Sequence, residues 1–236
     1  MNVALIIAGG SGYRTGQDIP KQFISVYDKP IIIYTLEIFE NLDVINEIEV
    51  VCLEGWIEIT KAYVEQFGIK KLSRIVAGGS TVQESIRNGV FDLEGRLSNE
   101  DIVVIHDSVR PMVAGEVVCD AIRVAEKYGN AVSATKYNEQ IFVKDSEDYE
   151  TTSKYISRTN LRRVSTPQAY RFAELNSAYH EAFTNNVGIF GSSYTNTMMV
   201  DLGRTVHFSK GSTENIKLTG KEDISFFRAY IKSKKY

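Results

Sequence analysis

The chain is predicted to fold as an α/β protein: a doubly wound, mostly parallel sheet with helices on both faces and a protruding β-arm. Three observations predict it. Short apolar runs recur up to about residue 135, as in strands buried on both faces of a parallel sheet. Helical patterns alternate with those runs at the spacing of βα units. The alternation then breaks at about 137–157, in a polar stretch that holds two strand-like pieces.

Taken in order, residues 2–8 (NVALIIA) form the first buried strand, followed by a glycine-rich loop over 9–16. Pro30 opens a helix (PIIIYTLEIFENL), where a proline at the first position loses no hydrogen bond. Residues 47–53 (EIEVVCL) make a second strand, 56–67 a helix and 74–77 a third strand. The helix over 80–93 starts at Ser80, with Gln83 three residues on as in a capping box. Residues 101–106 (DIVVIH) make a fourth strand, 114–128 a helix and 130–135 a fifth strand. In the arm, QIFV and TTSKYIS flank a turn-like Asp145-Ser146-Glu147-Asp148, which reads as a hairpin. A helix over 172–183, a strand over 205–209 and a closing helix over 221–232 follow.

With 236 residues and no repeat or linker, the chain reads as a single domain over 1–236. The 43% hydrophobic share is that of a folded protein, and the net charge of −3 argues against nucleic acid as a partner. Cys52 and Cys119 lie far apart in apolar runs, which reads as two buried, reduced thiols. No signal peptide and no apolar run of membrane-spanning length is seen, so a cytoplasmic protein with no membrane partner is expected.

The strongest local signal is the loop after the first strand, Ala8-Gly9-Gly10-Ser11-Gly12-Tyr13-Arg14, with Pro20-Lys21-Gln22 soon after. Glycines let backbone N–H groups approach a polyphosphate, and Arg14 and Lys21 supply positive charge. The spacing is neither that of the P-loop nor that of the dinucleotide fingerprint.

AGGSGYR followed by PKQF resembles the signature of the methylerythritol-phosphate and ribitol-phosphate cytidylyltransferases. Further matches follow in that family's order: GGSTVQES with Gly78, Gly79 and Ser85; HDSVRP from His106 to Pro111; Arg158 in SRTN; Thr166 in TPQ; and Lys217 in NIKLT. They span residues 8 to 219. The resemblance implies a Rossmann-like nucleotidyltransferase fold and an enzyme that joins CMP from CTP to a polyol phosphate, releasing pyrophosphate. It implies Arg14, Lys21 and Lys217 as catalytic charge donors. Ala8, Gly9, Gly10, Gly79, Ser85, Asp107 and Ser108 would bind CTP, and Arg110, Arg158 and Thr166 the acceptor. Asp107, at the end of the fourth strand where open sheets place ligands, would hold Mg²⁺. His106 is expected to be structural. The arm implies a homodimer in which Arg158 acts across the interface.

Four departures from the family pattern follow. Val82 stands where an arginine is common, Asn138-Glu139 where the arm has an Asp-Thr pair, and Ser108-Val109 where alanines are usual. Ser193-Tyr194-Thr195-Asn196 replaces a segment carrying an aspartate. The nucleotide half of the site is kept and the acceptor half altered, which points to a linear polyol phosphate such as ribitol phosphate, destined for capsule or teichoic acid. Methylerythritol phosphate, the acceptor of isoprenoid synthesis, stays as the alternative acceptor. A non-catalytic nucleotide-binding module would also explain the lost aspartate, though not the kept Arg14, Lys21 and Lys217. A Rossmann oxidoreductase fits the fold but not the loop.

Overall fold

The computed structural model describes residues 1–10, 19–148, 150–191 and 194–234. Arg14, most of the glycine loop and Ser193 lie outside the described residues.

The chain builds a seven-stranded sheet in the order β11-β7-β10-β6-β1-β4-β5. β1 (Asn2–Ala8), β4 (Glu47–Cys52), β5 (Leu72–Ala77) and β6 (Ile102–Asp107) run parallel. β7 (Asn130–Lys136) and β11 (Phe208–Lys210) pair in parallel with each other. Only β10 (Arg162–Arg171) is reversed, antiparallel to both β6 and β7. Along β1 the side chains alternate between two cores: Ala4, Ile6 and Ala8 join one, Val3 and Leu5 the other. That is why the strand reads as continuously apolar.

The first core packs under α1 (Ile31–Glu40), α2 (Ile57–Gln66) and α4 (Gly115–Tyr128). The second packs under α3 (Val82–Asp92), α5 (Phe172–Asn185) and α6 (Thr195–Asp201). From β1 the chain winds outward through α1, β4 and α2 to the edge strand β5. It then returns through α3 to β6, on the other flank of β1. The winding therefore reverses between β1 and β6, and the crevice at their C-terminal ends is where such sheets place ligands. A short β2 (Ser25–Val26) and β3 (Lys29–Pro30) form a separate ribbon before α1. Closing helix α7 (Lys221–Lys234) packs Ile224 and Phe227 onto a third apolar cluster, with Val109 and Leu218.

Several expectations need correction. The helix cap is one residue further on: Thr81 accepts a hydrogen bond from Glu84 N, and the Glu84 carboxylate accepts from Thr81 N and Ser80 N. Gln83 cannot serve there because it is buried, donating to Gly188 O and accepting from the Tyr179 hydroxyl. Cys52 is buried but Cys119 is exposed, on the outer face of α4. Pro30 precedes α1 as its cap residue instead of opening its first turn. β10 and α6 were not foreseen. Pro167 argues against an inner strand, yet it falls at the register shift between Ser165 and Gln168, where its missing N–H breaks no regular ladder.

The arm region holds an antiparallel hairpin of β8 (Ile141–Val143) and β9 (Lys154–Ile156), separate from the main sheet. Asp145 ties its turn: its carboxylate accepts from Ser153 N, Ser153 Oγ and Thr151 Oγ1. Phe142 and Tyr155 are exposed on it.

Candidate active site

Three loops converge at the C-terminal ends of the parallel strands. The first leaves β1. Gln22, buried in the short turn of helix Lys21–Phe23, donates its amide to Ala8 O at 2.8 Å and to Gly10 O at 2.9 Å. One side chain thus fastens both ends of the Ala8-Gly9-Gly10 stretch, and the same turn carries Lys21 beside it.

The second loop is the Gly78-Gly79 turn after β5. Gly78 N donates to Cys52 O at 2.7 Å, so the turn folds over the end of β4, toward β1. Ser85, on the first turns of α3, accepts from Gly79 N at 3.0 Å. Here two glycines are required by space. A Cβ on Gly9 would lie 2.8 Å from Ser85 Oγ, and one on Gly79 would lie 2.3 Å from Glu84 Cβ. Gly9, Gly79 and Ser85 therefore form one close-packed wall of the crevice, with backbone rather than side chains turned to any ligand.

The third loop follows β6 and carries the charge. Asp107 Oδ2 accepts from Arg110 Nε at 2.8 Å, and Oδ1 from Lys217 Nζ at 3.0 Å. Burial alone would raise the Asp107 carboxyl, but Lys217 and Arg110 outweigh it and hold the group down to about 2. The carboxylate is therefore ionised at any working pH. Asp107 N donates to Thr166 Oγ1 at 3.2 Å, bringing β10 into the same centre. Asn215 closes the ring: its side-chain amide donates to Thr166 O at 2.6 Å and its backbone carbonyl accepts from Arg110 Nη1 at 2.8 Å. Leu218 N donates to Val109 O at 2.9 Å, which holds the Lys217 loop against the β6 loop. Lys21 acts on a different carboxylate. Its charge is among the causes that keep Asp223 below the usual carboxylate range; burial opposes them, and the N–H groups of Thr219 and Gly220 contribute more.

Ser108 is locked through its backbone, donating to Ile7 O and accepting from Thr35 Oγ1. His106 is buried with its ring 5.1 Å from that of Phe39, and burial pulls its pKa down to about 4. It is neutral near pH 7, in keeping with a structural group. Arg158 stands apart at the base of the hairpin, where its guanidinium donates to Asn138 O. Sequence reasoning included Gln22 and Asn215 in its motifs without giving either a role. A buried, polar, amide side chain next to a glycine loop or a lysine is the signal that could have found them.

The chain as a whole matches a known family. A model of the IspD family, 2-C-methyl-D-erythritol 4-phosphate cytidylyltransferase, matches residues 2–233. The chain belongs to that family. Among its relatives, a protein of Lacticaseibacillus paracasei named ribitol-5-phosphate cytidylyltransferase is 51% identical over 234 residues, covering 99% of each chain. A Clostridium tetani protein named 2-C-methyl-D-erythritol 4-phosphate cytidylyltransferase is 34% identical, over 98% of this chain and 90% of its own. Among solved structures of the IspD family, 4-diphosphocytidyl-2C-methyl-D-erythritol synthase from Anaerococcus prevotii is similar at a TM-score of 0.82. It is 25% identical, with 98% of each chain covered.

Proposed function

We propose that this member of the IspD family transfers CMP from CTP to ribitol 5-phosphate, forming CDP-ribitol and releasing pyrophosphate. The observation that carries the reading is the 51% identity, over 99% of both chains, with the relative named for ribitol 5-phosphate. The Clostridium tetani relative named for methylerythritol phosphate is 34% identical. Methylerythritol phosphate is the second reading, favoured by the description of the family model.

A phosphate oxygen of the acceptor attacks the α-phosphorus of CTP in line. The new P–O bond forms as the α–β bridge breaks, and the bridging oxygen leaves with its electron pair in pyrophosphate. An anion attacks an anion, so positioning and charge neutralisation carry the rate. Lys217, Lys21 and Arg14 supply that charge. The backbone wall at Gly9, Gly79 and Ser85 takes the nucleotide, and Thr166, Arg110 and Arg158 the acceptor. Arg110 does so only at the edge of its present task of gripping Asp107 and Asn215 O.

Mg²⁺ belongs to the same reading. Among the described residues no group of three or more His, Cys, Asp or Glu converges to hold a metal. One ionised carboxylate, Asp107, fits the mode in which Mg²⁺ is shared between a single acidic side chain and substrate phosphates. Bound there, the ion would supply further neutralisation of phosphate charge. The reading also includes a homodimer through the hairpin, with Arg158 reaching the partner's site, in the cytoplasm, where CTP is made. No helix among the described residues is long and apolar enough to cross a membrane. CDP-ribitol would serve as donor for a ribitol polymer such as teichoic acid or capsule.

The test is product analysis of purified protein with CTP, Mg²⁺ and ribitol 5-phosphate. CDP-ribitol and pyrophosphate in equal amounts are expected. Pyrophosphate without CDP-ribitol, or equal turnover of UTP, would refute the reading.

A further inference from the structure

Among the described residues Lys217 meets both a carboxylate and an aromatic ring. Its ammonium donates to Asp107 Oδ1 at 3.0 Å, and lies 5.6 Å from the centre of the Tyr194 ring. An ammonium within about 6 Å of an aromatic face is attracted by the ring quadrupole. We propose that Tyr194 is a positioning residue: its ring holds the Lys217 ammonium at the reacting phosphates when Asp107 is claimed by the metal-bound nucleotide. The proposal rests on the CMP-transfer reading, in which Lys217 is a catalytic charge.

Tyr194 is mounted to do this. It caps α6, its backbone N–H donating to Thr197 Oγ1 at 2.9 Å and its carbonyl accepting from Met198 N at 2.9 Å. The helix behind it is anchored by Thr195, Met198 and Met199, all buried, and by the hydroxyl contact between Thr195 and Tyr179 at 2.8 Å. Tyr194 is 41% exposed, so its ring is not part of the core. The Lys217 backbone is fixed equally well, by Asn215 on one side and Leu218 on the other. Between these two anchors the four-carbon stem is the flexible part, and an unrestrained lysine stem samples many rotamers.

The ion pair with Asp107 cannot restrain the stem throughout the reaction. A carboxylate that takes a share of a divalent cation has less charge to offer an ammonium. Lys217 then turns to the phosphates, whose negative charge migrates to the leaving group as the bond breaks. The Tyr194 ring is a partner that does not change charge in any of these states. A carboxylate in its place would draw the ammonium away from the phosphates; a neutral ring retains it without competing.

The experiment combines a spectrum with a double-mutant cycle. In protein labelled with [ε-¹³C]lysine, the Lys217 ε-CH₂ signal, identified by its loss in Lys217→Arg, is expected upfield of the exposed lysines because of the ring current. Tyr194→Phe keeps that shift and Tyr194→Leu abolishes it. In turnover, Tyr194→Leu lowers kcat about 2–5-fold, the size of a cation–π contact at an exposed site, with the KM for CTP little changed. Tyr194→Phe restores the rate, and in a Lys217→Ala background Tyr194→Leu costs nothing further. An unshifted Lys217 signal in the unaltered protein overturns the proposal, whatever the enzyme turns over. So does an equal loss in Tyr194→Phe, or a loss that adds in full to that of Lys217→Ala. Absence of CMP transfer with a shifted Lys217 signal would instead refute the function and leave the contact standing.

Discussion

At the scale of single residues, the site is a set of charges held still by neutral hydrogen-bonding side chains. In the proposed mechanism Lys217 and Lys21 supply charge to a step whose barrier is electrostatic, where one lost donor costs about 10²–10³ in rate. Lys217→Ala and Lys21→Ala should each lower kcat by that order, with the fold intact by circular dichroism. Near-normal turnover at saturating CTP and acceptor would remove the residue concerned from the mechanism. A different residue sets the stability profile. Glu49 is buried on β4 and accepts from Arg96 at 2.6 Å. Even so, burial pushes its carboxyl from the ordinary 4.5 up to about 7. The folded chain therefore binds a proton that the unfolded chain has released between those values. The stability this confers is complete below the lower value and lost as pH rises through the upper one. Buried His106, its pKa lowered to about 4, opposes this over part of the same range, so the effect is read against Glu49→Gln: between pH 5 and 7.5 the unaltered chain should lose about 1–3 kcal/mol more stability than that variant in chemical denaturation. An equal pH slope in the two proteins would assign the effect elsewhere.

Elements show best how much was legible in the sequence. Continuous apolar runs identified β1, β4, β6 and β7 because strands buried on both faces carry their own signature. β10 was missed because its residues are polar at the start and a proline interrupts it; only the neighbouring strands make it a strand. α6 was missed because its seven residues span too few turns to show a period. The α3 cap was placed at Ser80, since Ser80–Gln83 and Thr81–Glu84 fit the same motif and burial of Gln83 chooses between them. The two frames predict opposite outcomes. Thr81→Ala should cost about 1 kcal/mol, and Ser80→Ala close to nothing, by thermal denaturation. The reverse order would restore the first frame. The site was legible as a roll of residues and not as an arrangement. Nothing local in the sequence says that Arg110 and Lys217 close on opposite oxygens of Asp107, or that Tyr194 lies over Lys217.

For the whole molecule, the winding of the sheet explains why residues from positions 8 to 219 meet in one crevice. The reversal between β1 and β6 opens it, and the antiparallel β10 adds Thr166 from the far side. The hairpin adds a surface that the monomer leaves exposed, with Phe142 and Tyr155 outward. The proposed dimer predicts that the unaltered chain sediments as a dimer and Phe142→Asp with Tyr155→Asp as a monomer; a dimer in both would place the interface elsewhere, and a monomer in both would refute the dimer. The central claim concerns the acceptor, since the proposed roles of the Gly9, Gly79 and Ser85 wall and of the Asp107 centre do not depend on which polyol phosphate is used. Glu139 stands exposed between β7 and the hairpin, and in the proposed reading its carboxylate accepts hydrogen bonds from a hydroxyl-rich acceptor. The measurement that tests this most directly is kcat/KM for ribitol 5-phosphate and for methylerythritol 4-phosphate, by pyrophosphate release at saturating CTP. The account predicts the higher value for ribitol 5-phosphate; a value for methylerythritol 4-phosphate equal to it or above it would contradict the account.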